Sequence, residues 1–346
     1  MTRPILRLDT ATLRRNIAAV QERIAPSALM LVVKDDAYGH GLPWAVETAR
    51  ASGVEWFGSF DVGSALEVRR VAGGQARIFA WVTSEDAEID EAVLHDVDLG
   101  VGTIEYLRRV VDRAGRLQAR ARVHLKIDSG LHRNGVLPED WAEALRIARD
   151  AERAGAIELV GVWSHIAEAS DAEDDAAQAV FLEAVRAAAA GGTEPPLRHL
   201  TASAASWWRP ELRGSLSRIG AFCYGVRSAE GPELDGIRPV ATLVGTVTDV
   251  ADGEATIAIG GFDGLPSTLV GAPVGTPAGA RPLLRVGFTE SAVAAWDGAA
   301  VGDEVRLFGS GECGEVSATD LAERLDTVGE EILTRLTPRV RRVVSD

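Results

Sequence analysis

The stretch ALMLVVKDDAYGHG (residues 28–41) decides how the chain is read. Its first half is a short apolar, β-branched run, the pattern of a strand buried on both faces. The run ends on a lysine, Lys34, and the acids, glycines and histidine after it read as a loop. A helical stretch follows at about Pro43–Ala51. The same sequence of apolar run, polar end and helical segment recurs down the chain. Strand candidates lie at EWFGSF (55–60), ARIFAWV (76–82), VDLGVG (97–102), RVHLKIDS (122–129), ELVGVWSH (158–165), LRHLTA (197–202) and SLSRIG (215–220). Helical segments separate them, including the alanine-rich Asp171–Ala190. Eight strand–helix units of this length predict an α/β chain built on a (β/α)₈ barrel.

The texture changes near Gly236. ATLVGTVTDV, EATIAIGG, RPLLRVGF and DEVRLFG are β-rich and separated by Gly, Pro and Asp turns, the pattern of a smaller all-β domain. One helix, at about Ala318–Arg324, interrupts it. The expected organisation is therefore a barrel over 1–235 and a C-terminal β domain over 236–346. Residues 1–10, containing Ile5–Leu8, are a candidate extra strand of the second domain.

Of 36 basic residues only Lys34 and Lys126 are lysine, and 51 acids bring the net charge to −15. That balance argues against a nucleic-acid partner and against docking on an anionic membrane. No run approaches a membrane span. The start, MTRPILRLDTATLRR, lacks a signal-peptide core, so a cytoplasmic location is expected. Cys223 and Cys313 are too few for a disulfide framework, and no CxxC or HExxH spacing points to a metal.

The polar residues fall in phase. Lys34 follows the first strand, Lys126 and Asp128 end the fifth, and Arg133 lies in the loop beyond. His165 ends the sixth strand. His199, Thr201 and Ser203 end the seventh, and Arg218 ends the eighth. In a (β/α)₈ barrel those ends form the active-site rim. The apolar run before Lys34 favours an uncharged amine able to form a Schiff base with a carbonyl. A salt bridge to Asp35 or Asp36 is the alternative. Ser203 and the Gly220-Ala221 pair are placed where such barrels bind phosphate through backbone amides.

These residues resemble the alanine racemase family, fold-type III enzymes that use pyridoxal 5′-phosphate (PLP). Val33-Lys34-Asp35-Asp36-Ala37-Tyr38-Gly39-His40-Gly41 is similar to the family's lysine signature. Lys126-Ile127-Asp128-Ser129-Gly130-Leu131-His132-Arg133 is similar to its second motif. Ser164-His165, Ser203-Ala204-Ala205 and Arg218-Ile219-Gly220 match later motifs in order. The resemblance spans nearly the whole chain. It implies a cytoplasmic head-to-tail homodimer, sharing its active sites between subunits and acting on a small amino acid. It further implies that Lys34 holds PLP and acts as a base at Cα, and that Tyr38, Ser203, Gly220 and Ala221 hold the phosphate. Arg218 would donate to the pyridine nitrogen and His165 would bond Arg218. Arg133 would meet cofactor and substrate carboxylate, oriented by Lys126, which is carbamylated in many relatives.

The departures cluster in the C-terminal domain. The family's second base is a tyrosine in a Gly-Tyr-Ala-Asp-Gly motif, supplied by the partner subunit. Here the aligned residues are Gly260-Gly261-Phe262-Asp263-Gly264, so Gly261 takes the tyrosine position. The chain has three tyrosines, at 38, 106 and 224, and none beyond. Phe288-Thr289 aligns with the family's Met-Asp pair at the substrate entrance, and Glu330 with a tyrosine near the phosphate. The domain has no histidine or lysine, so a replacement base there is a carboxylate, Cys313 or water. The resemblance thus implies PLP-dependent racemisation or epimerisation with a replaced or absent second base. Decarboxylation, aldol cleavage, β-elimination or a non-catalytic PLP-binding role on the same fold remain open alternatives.

Overall fold

The computed structural model describes residues 3–192 and 195–345. They divide into two compact units: Val20–Lys34 with Ala49–Gly220, and Met1–Ala19 with Asp35–Thr48 and Ala221–Asp346. The chain opens with β1 (Ile5–Asp9), which belongs to the second of these.

The first unit holds the eight-stranded parallel sheet. Its strands are β2 (Ala28–Val32), β3 (Trp56–Ser59), β4 (Arg77–Ala80), β5 (Val97–Val101), β6 (Ala121–Lys126), β7 (Ile157–Trp163), β8 (Leu197–His199) and β9 (Leu216–Ile219). They pair in chain order from β2 to β8, and β9 returns to pair with β2. The Arg218 N–H donates to the Thr201 carbonyl (3.3 Å) beside the remaining seam. This is the (β/α)₈ barrel, with all eight strands where the apolar runs predicted them. The helix Asp171–Ala190 also coincides with its predicted range. Every visible residue of β3 and β5 is buried, as a strand covered on both faces requires.

Large side chains fill the barrel interior: Met30, Trp56, Phe79 and Trp163, with Val160 and Leu216. Glycines make room for them. A Cβ at Gly100 would lie 3.0 Å from both Phe79 and Trp163, and one at Gly161 would lie 2.7 Å from His124 Nδ1.

In the second unit, β10 (Ala241–Ala251), β11 (Glu254–Ile257), β12 (Pro273–Thr276), β13 (Gly279–Val286), β14 (Ser291–Ala294) and β15 (Glu304–Phe308) form an antiparallel ring. β10 closes it by pairing with both β11 and β15. On its outer side β10 takes β1 antiparallel, and β1 takes β16 (Arg341–Ser345) parallel. A helix was expected at about Ala318–Arg324 and is found at Ala318–Glu323; a second, Gly329–Thr334, was not expected.

Directly after Lys34 the backbone turns left-handed. Asp35, Asp36, Ala37 and Tyr38 have φ of 54°, 55°, 53° and 56°, and Gly39 continues at 78°. The turn is closed by Gly39 N–H to Asp35 C=O (2.8 Å) and Gly41 N–H to Asp36 C=O (2.9 Å). The Asp36 carboxylate accepts from Leu42 N–H (2.7 Å) at the start of the next helix. Left-handed helical geometry costs about 1–2 kcal/mol per non-glycine residue, so these four store roughly 4–8 kcal/mol. Such strain survives only where the surroundings over-determine it, and it concentrates at functional sites.

Candidate active site

In the barrel unit the predicted residues gather around one imidazole. His165 lies two residues past β7. Burial pushes its pKa down to about 2, and the positive charges of Arg218, Arg133, Lys126 and Lys34 push the same way. His165 is therefore neutral, and the four cations acting on it come from β6, β9 and the segments just past β2 and β6. Lys34 is half-buried just past β2, and Arg133 is exposed. Lys126, the last residue of β6, is only 4% exposed. Its Nζ stands 4.7 Å from the centre of the Trp163 ring. Burial, then Arg133 and Arg218, lower its pKa to about 8, against an opposing pull from Asp128. A substantial neutral fraction of this amine exists near neutral pH. The Asp128 carboxylate instead holds the next loop, accepting the backbone N–H groups of Gly130 and His132 and the His132 ring.

Arg218, on β9, is the best-held cation of the site. One terminal nitrogen donates to His199 Nδ1 (3.1 Å) and the His199 carbonyl (3.0 Å). The other meets the Ser164 carbonyl (2.8 Å), the Leu200 carbonyl (3.0 Å) and His165 Nδ1 (3.1 Å). Burial lowers its pKa to about 9, which leaves it charged at neutral pH. Its Nε has no hydrogen-bond partner among the described residues and is not among the sealed, unpaired polar atoms. That N–H remains for a ligand.

Ser203 opens the short helix Ser203–Trp208, and its Oγ accepts from Gly220 N–H (3.4 Å). The neighbouring Ala205 N–H is taken by the Glu168 carboxylate (2.8 Å). Burial raises the pKa of Glu168, while that N–H and Arg218 lower it. Glu168 escaped sequence reading because an acid after a strand looks like solvated loop. Its φ of 56° turns it toward Ala205, and nothing local signals that.

The remaining predicted residues lie in the other unit. Tyr38 is buried, and its phenol accepts from the Ala221 backbone. Burial, then the charges of Glu330 and Asp35, push the Tyr38 pKa upward. Glu330 sits in the first turn of Gly329–Thr334. Gly39 fits against this same helix: a Cβ there would lie 2.8 Å from the Leu333 carbonyl oxygen. His40 donates through Nδ1–H to the Ala37 carbonyl (2.7 Å) and stacks on Tyr224 (4.9 Å). Burial lowers its pKa to about 4, so it is neutral. Gly261 opens a short turn, its N–H donating to the Gly287 carbonyl (2.8 Å). Phe262 N–H donates to the Phe288 carbonyl (2.8 Å), and the two rings lie 5.3 Å apart. Phe288 is 76% exposed, and Thr289 beside it is also exposed.

The donor set suits PLP. An aldehyde needs an amine, a pyridine nitrogen needs a donor, and a phosphate needs amides and hydroxyls. Lys34, the uncommitted Arg218 Nε, Ser203 with Gly220 in the barrel unit, and Tyr38 with Ala221 in the other unit have those chemistries.

The family "Alanine racemase, N-terminal domain" matches residues 8–228, and "Alanine racemase, C-terminal domain" matches 246–344. An alanine racemase of Thermobifida fusca is 36% identical over 97% of this chain and 96% of its own length. One of Beutenbergia cavernae is 36% identical over the same shares. Among solved structures, the alanine racemase of Streptomyces coelicolor A3(2) superposes with a TM-score of 0.94 at 31% identity, covering 99% of this chain and 98% of that one. That of Streptomyces lavendulae gives 0.91 at 33% identity, over 100% and 98%.

Proposed function

The chain belongs to the alanine racemase family, and from that premise we propose that it binds PLP through Lys34 and isomerises an amino acid at Cα without the family's tyrosine base. The observation that carries the proposal is the pairing of β2 with β9. It sets Met30 opposite Arg218, so that the strand leading to Lys34 and the strand bearing Arg218 are neighbours. An amine and a fixed guanidinium with one free N–H then flank the same part of the rim.

PLP, when bound, withdraws electrons from Cα and makes its proton removable. Lys34 Nζ takes that proton on one face of Cα. Arg218 Nε would donate to the ring nitrogen without surrendering its proton, because the group stays charged at neutral pH. An arginine in that role would leave the cofactor a weaker electron sink, which disfavours transamination. His165, neutral, meets Arg218 at 3.1 Å and helps hold it. Arg133 is available to a substrate carboxylate, with the Lys126 amine nearby to orient it. Ser203, Gly220, Ala221 and Tyr38 would hold the phosphate.

Gly261 supplies no proton donor, so return of the proton to the opposite face falls to another group or to water. The space left by a missing phenol suits a substrate side chain larger than a methyl. A head-to-tail dimer and a cytosolic location belong to the same proposal. No helix among the described residues is long and apolar enough to cross a membrane.

The test is a panel of single amino acids in D₂O, read by mass spectrometry and chiral chromatography. Deuterium at Cα with inversion supports the proposal. Deuterium with retention, or release of CO₂, assigns one-sided exchange or decarboxylation instead. A colourless protein that PLP cannot reconstitute, or a cofactor band that survives Lys34→Ala, refutes cofactor binding through Lys34.

A further inference from the structure

Inside the barrel, below the rim, a line of polar side chains runs through an otherwise apolar interior. Arg218 donates to His199 Nδ1 (3.1 Å). His199 Nε2 faces His124 Nδ1 at 2.8 Å, and His124 Nε2 faces the Asp98 carboxylate at 3.0 Å. Asp98 in turn accepts from Arg122 Nε (2.6 Å) and from Arg77 (3.3 Å). Asp98, His124 and His199 have no exposed surface. The imidazoles are walled by aromatics: Phe79 is 4.7 Å from His124 and 5.3 Å from His199, and Trp163 stacks on His199 at 5.7 Å. Gly161 keeps the space clear, since any Cβ there would press on His124 Nδ1.

The two ends fix the direction of every proton between them. A guanidinium can only donate, so His199 Nδ1 accepts and the His199 proton sits on Nε2. His124 Nδ1 must then accept, which puts its proton on Nε2, facing Asp98. Asp98, already receiving from two guanidiniums, accepts it. Reversing one link reverses all of them, and the last reversal would aim an imidazole N–H at the Arg218 N–H.

We propose that Asp98, His124 and His199 are positioning residues, a one-directional hydrogen-bond column that holds Arg218 so that its Nε stays aimed at a ligand's ring nitrogen. The part that concerns a ring nitrogen rests on the proposed PLP function. The order of protons in the column does not, and it is measurable without cofactor. Side chains that orient a ligand-binding residue from behind commonly contribute about 10–100-fold to function.

Asp98→Asn is the informative variant. Arg122 Nε holds one carboxylate oxygen at 2.6 Å, so the amide oxygen stays there and the amide NH₂ turns to His124. His124 Nε2 must then accept, and both histidines change tautomer. Long-range ¹⁵N–¹H spectra of the cofactor-free protein, assigned with His124→Gln and His199→Gln, should show both rings protonated on Nε2. In Asp98→Asn both should move to Nδ1. The reconstituted variant should keep its cofactor, show a displaced absorption band, and lose about 10–100-fold in kcat with KM little changed. Protonation of either ring on Nδ1 in the unmodified protein overturns the proposal, whether or not the variant folds. So do Asp98→Asn spectra with unchanged tautomers, or changed tautomers with an unmoved band and kcat. A protein that never takes up PLP sinks the functional reading, and leaves the column to stand or fall on the ¹⁵N spectra.

Discussion

Gly261→Tyr should convert a slow or one-sided catalyst into an efficient racemase. The site accepts the change. A Cβ at 261 meets only the Gly287 carbonyl oxygen, at 3.6 Å, which is ordinary van der Waals contact. Gly261 is not among the glycines at positive φ, so tyrosine adopts its backbone without strain. The turn is already held from below. The fully buried Asp263 carboxylate accepts Gly260 N–H (2.9 Å) and Arg339 Nε (2.9 Å). Stability should therefore change by no more than about 0.5 kcal/mol, as for an unencumbered surface position. A positioned general acid–base group contributes typically about 10²–10⁴-fold, equivalent to about 3–5 kcal/mol of barrier. Interconversion of L- and D-alanine, followed by chiral chromatography, should accelerate within that range, and solvent deuterium should appear in both enantiomers. Gly261→Phe, with the same bulk and no hydroxyl, should gain nothing. A folded, PLP-loaded Gly261→Tyr protein with less than a tenfold gain would refute the placement of the second base at this residue. An equal gain in Gly261→Phe would refute the role of the phenol.

Other outcomes follow from single features. Gly39→Ala combines a left-handed φ of 78° with a Cβ 2.8 Å from the Leu333 carbonyl oxygen, so denaturant unfolding should show a loss of about 2–4 kcal/mol; a loss under 0.5 kcal/mol would contradict the packing described. Lys126, lowered to about 8, loses its proton in the folded state well before the unfolded value of about 10.4. Between those values the unfolded chain binds more protons, so this group's contribution to stability rises with pH. Thermal unfolding of Lys126→Gln against the parent from pH 7.5 to 10 should remove that rise, and parallel curves would refute it. Labelled ¹³C-bicarbonate near pH 8 should give a carbamate signal that persists in Lys34→Ala and vanishes in Lys126→Gln; a signal absent from the parent would show that the amine stays unmodified.

The barrel was legible because strands buried on both faces must be apolar along their length, and LMLVV and its counterparts are. The rim was legible because charged residues at the ends of such runs have nowhere else to go. Polar residues within the runs were harder to read. Asp98 in VDLGV and His124 in RVHLK break apolar strands, and that break was the available signal. Their partners come from other strands, however, so only the closed barrel shows that they touch. The left-handed turn at Asp35–Tyr38 was hidden for a related reason. Nothing in Asp-Asp-Ala-Tyr requires positive φ, and the constraint comes from contacts such as Leu333 against Gly39, far away in sequence. The glycines at 39 and 41 marked freedom of the backbone without marking its hand. The helix Gly329–Thr334 was missed where its neighbourhood matters most, because it presents Glu330 to Tyr38.

The strand β1 lies between β10 and β16, pairing Ile5 with both Val244 and Arg341. A strand near residue 5 is thus stitched to strands hundreds of residues later in the chain. The barrel strands need no such wait, since all eight lie between Ala28 and Ile219. The ring of β10 to β15 can likewise close on itself, but β1 gains its second neighbour only when the chain has reached Ser345. Until then an edge strand has open hydrogen-bonding groups, which is a template for pairing with another chain. Long-range pairings of this kind are slow to form. The β1–β16 pair is therefore the last pairing of this sheet whose strands become available, and until it forms β1 keeps one open edge.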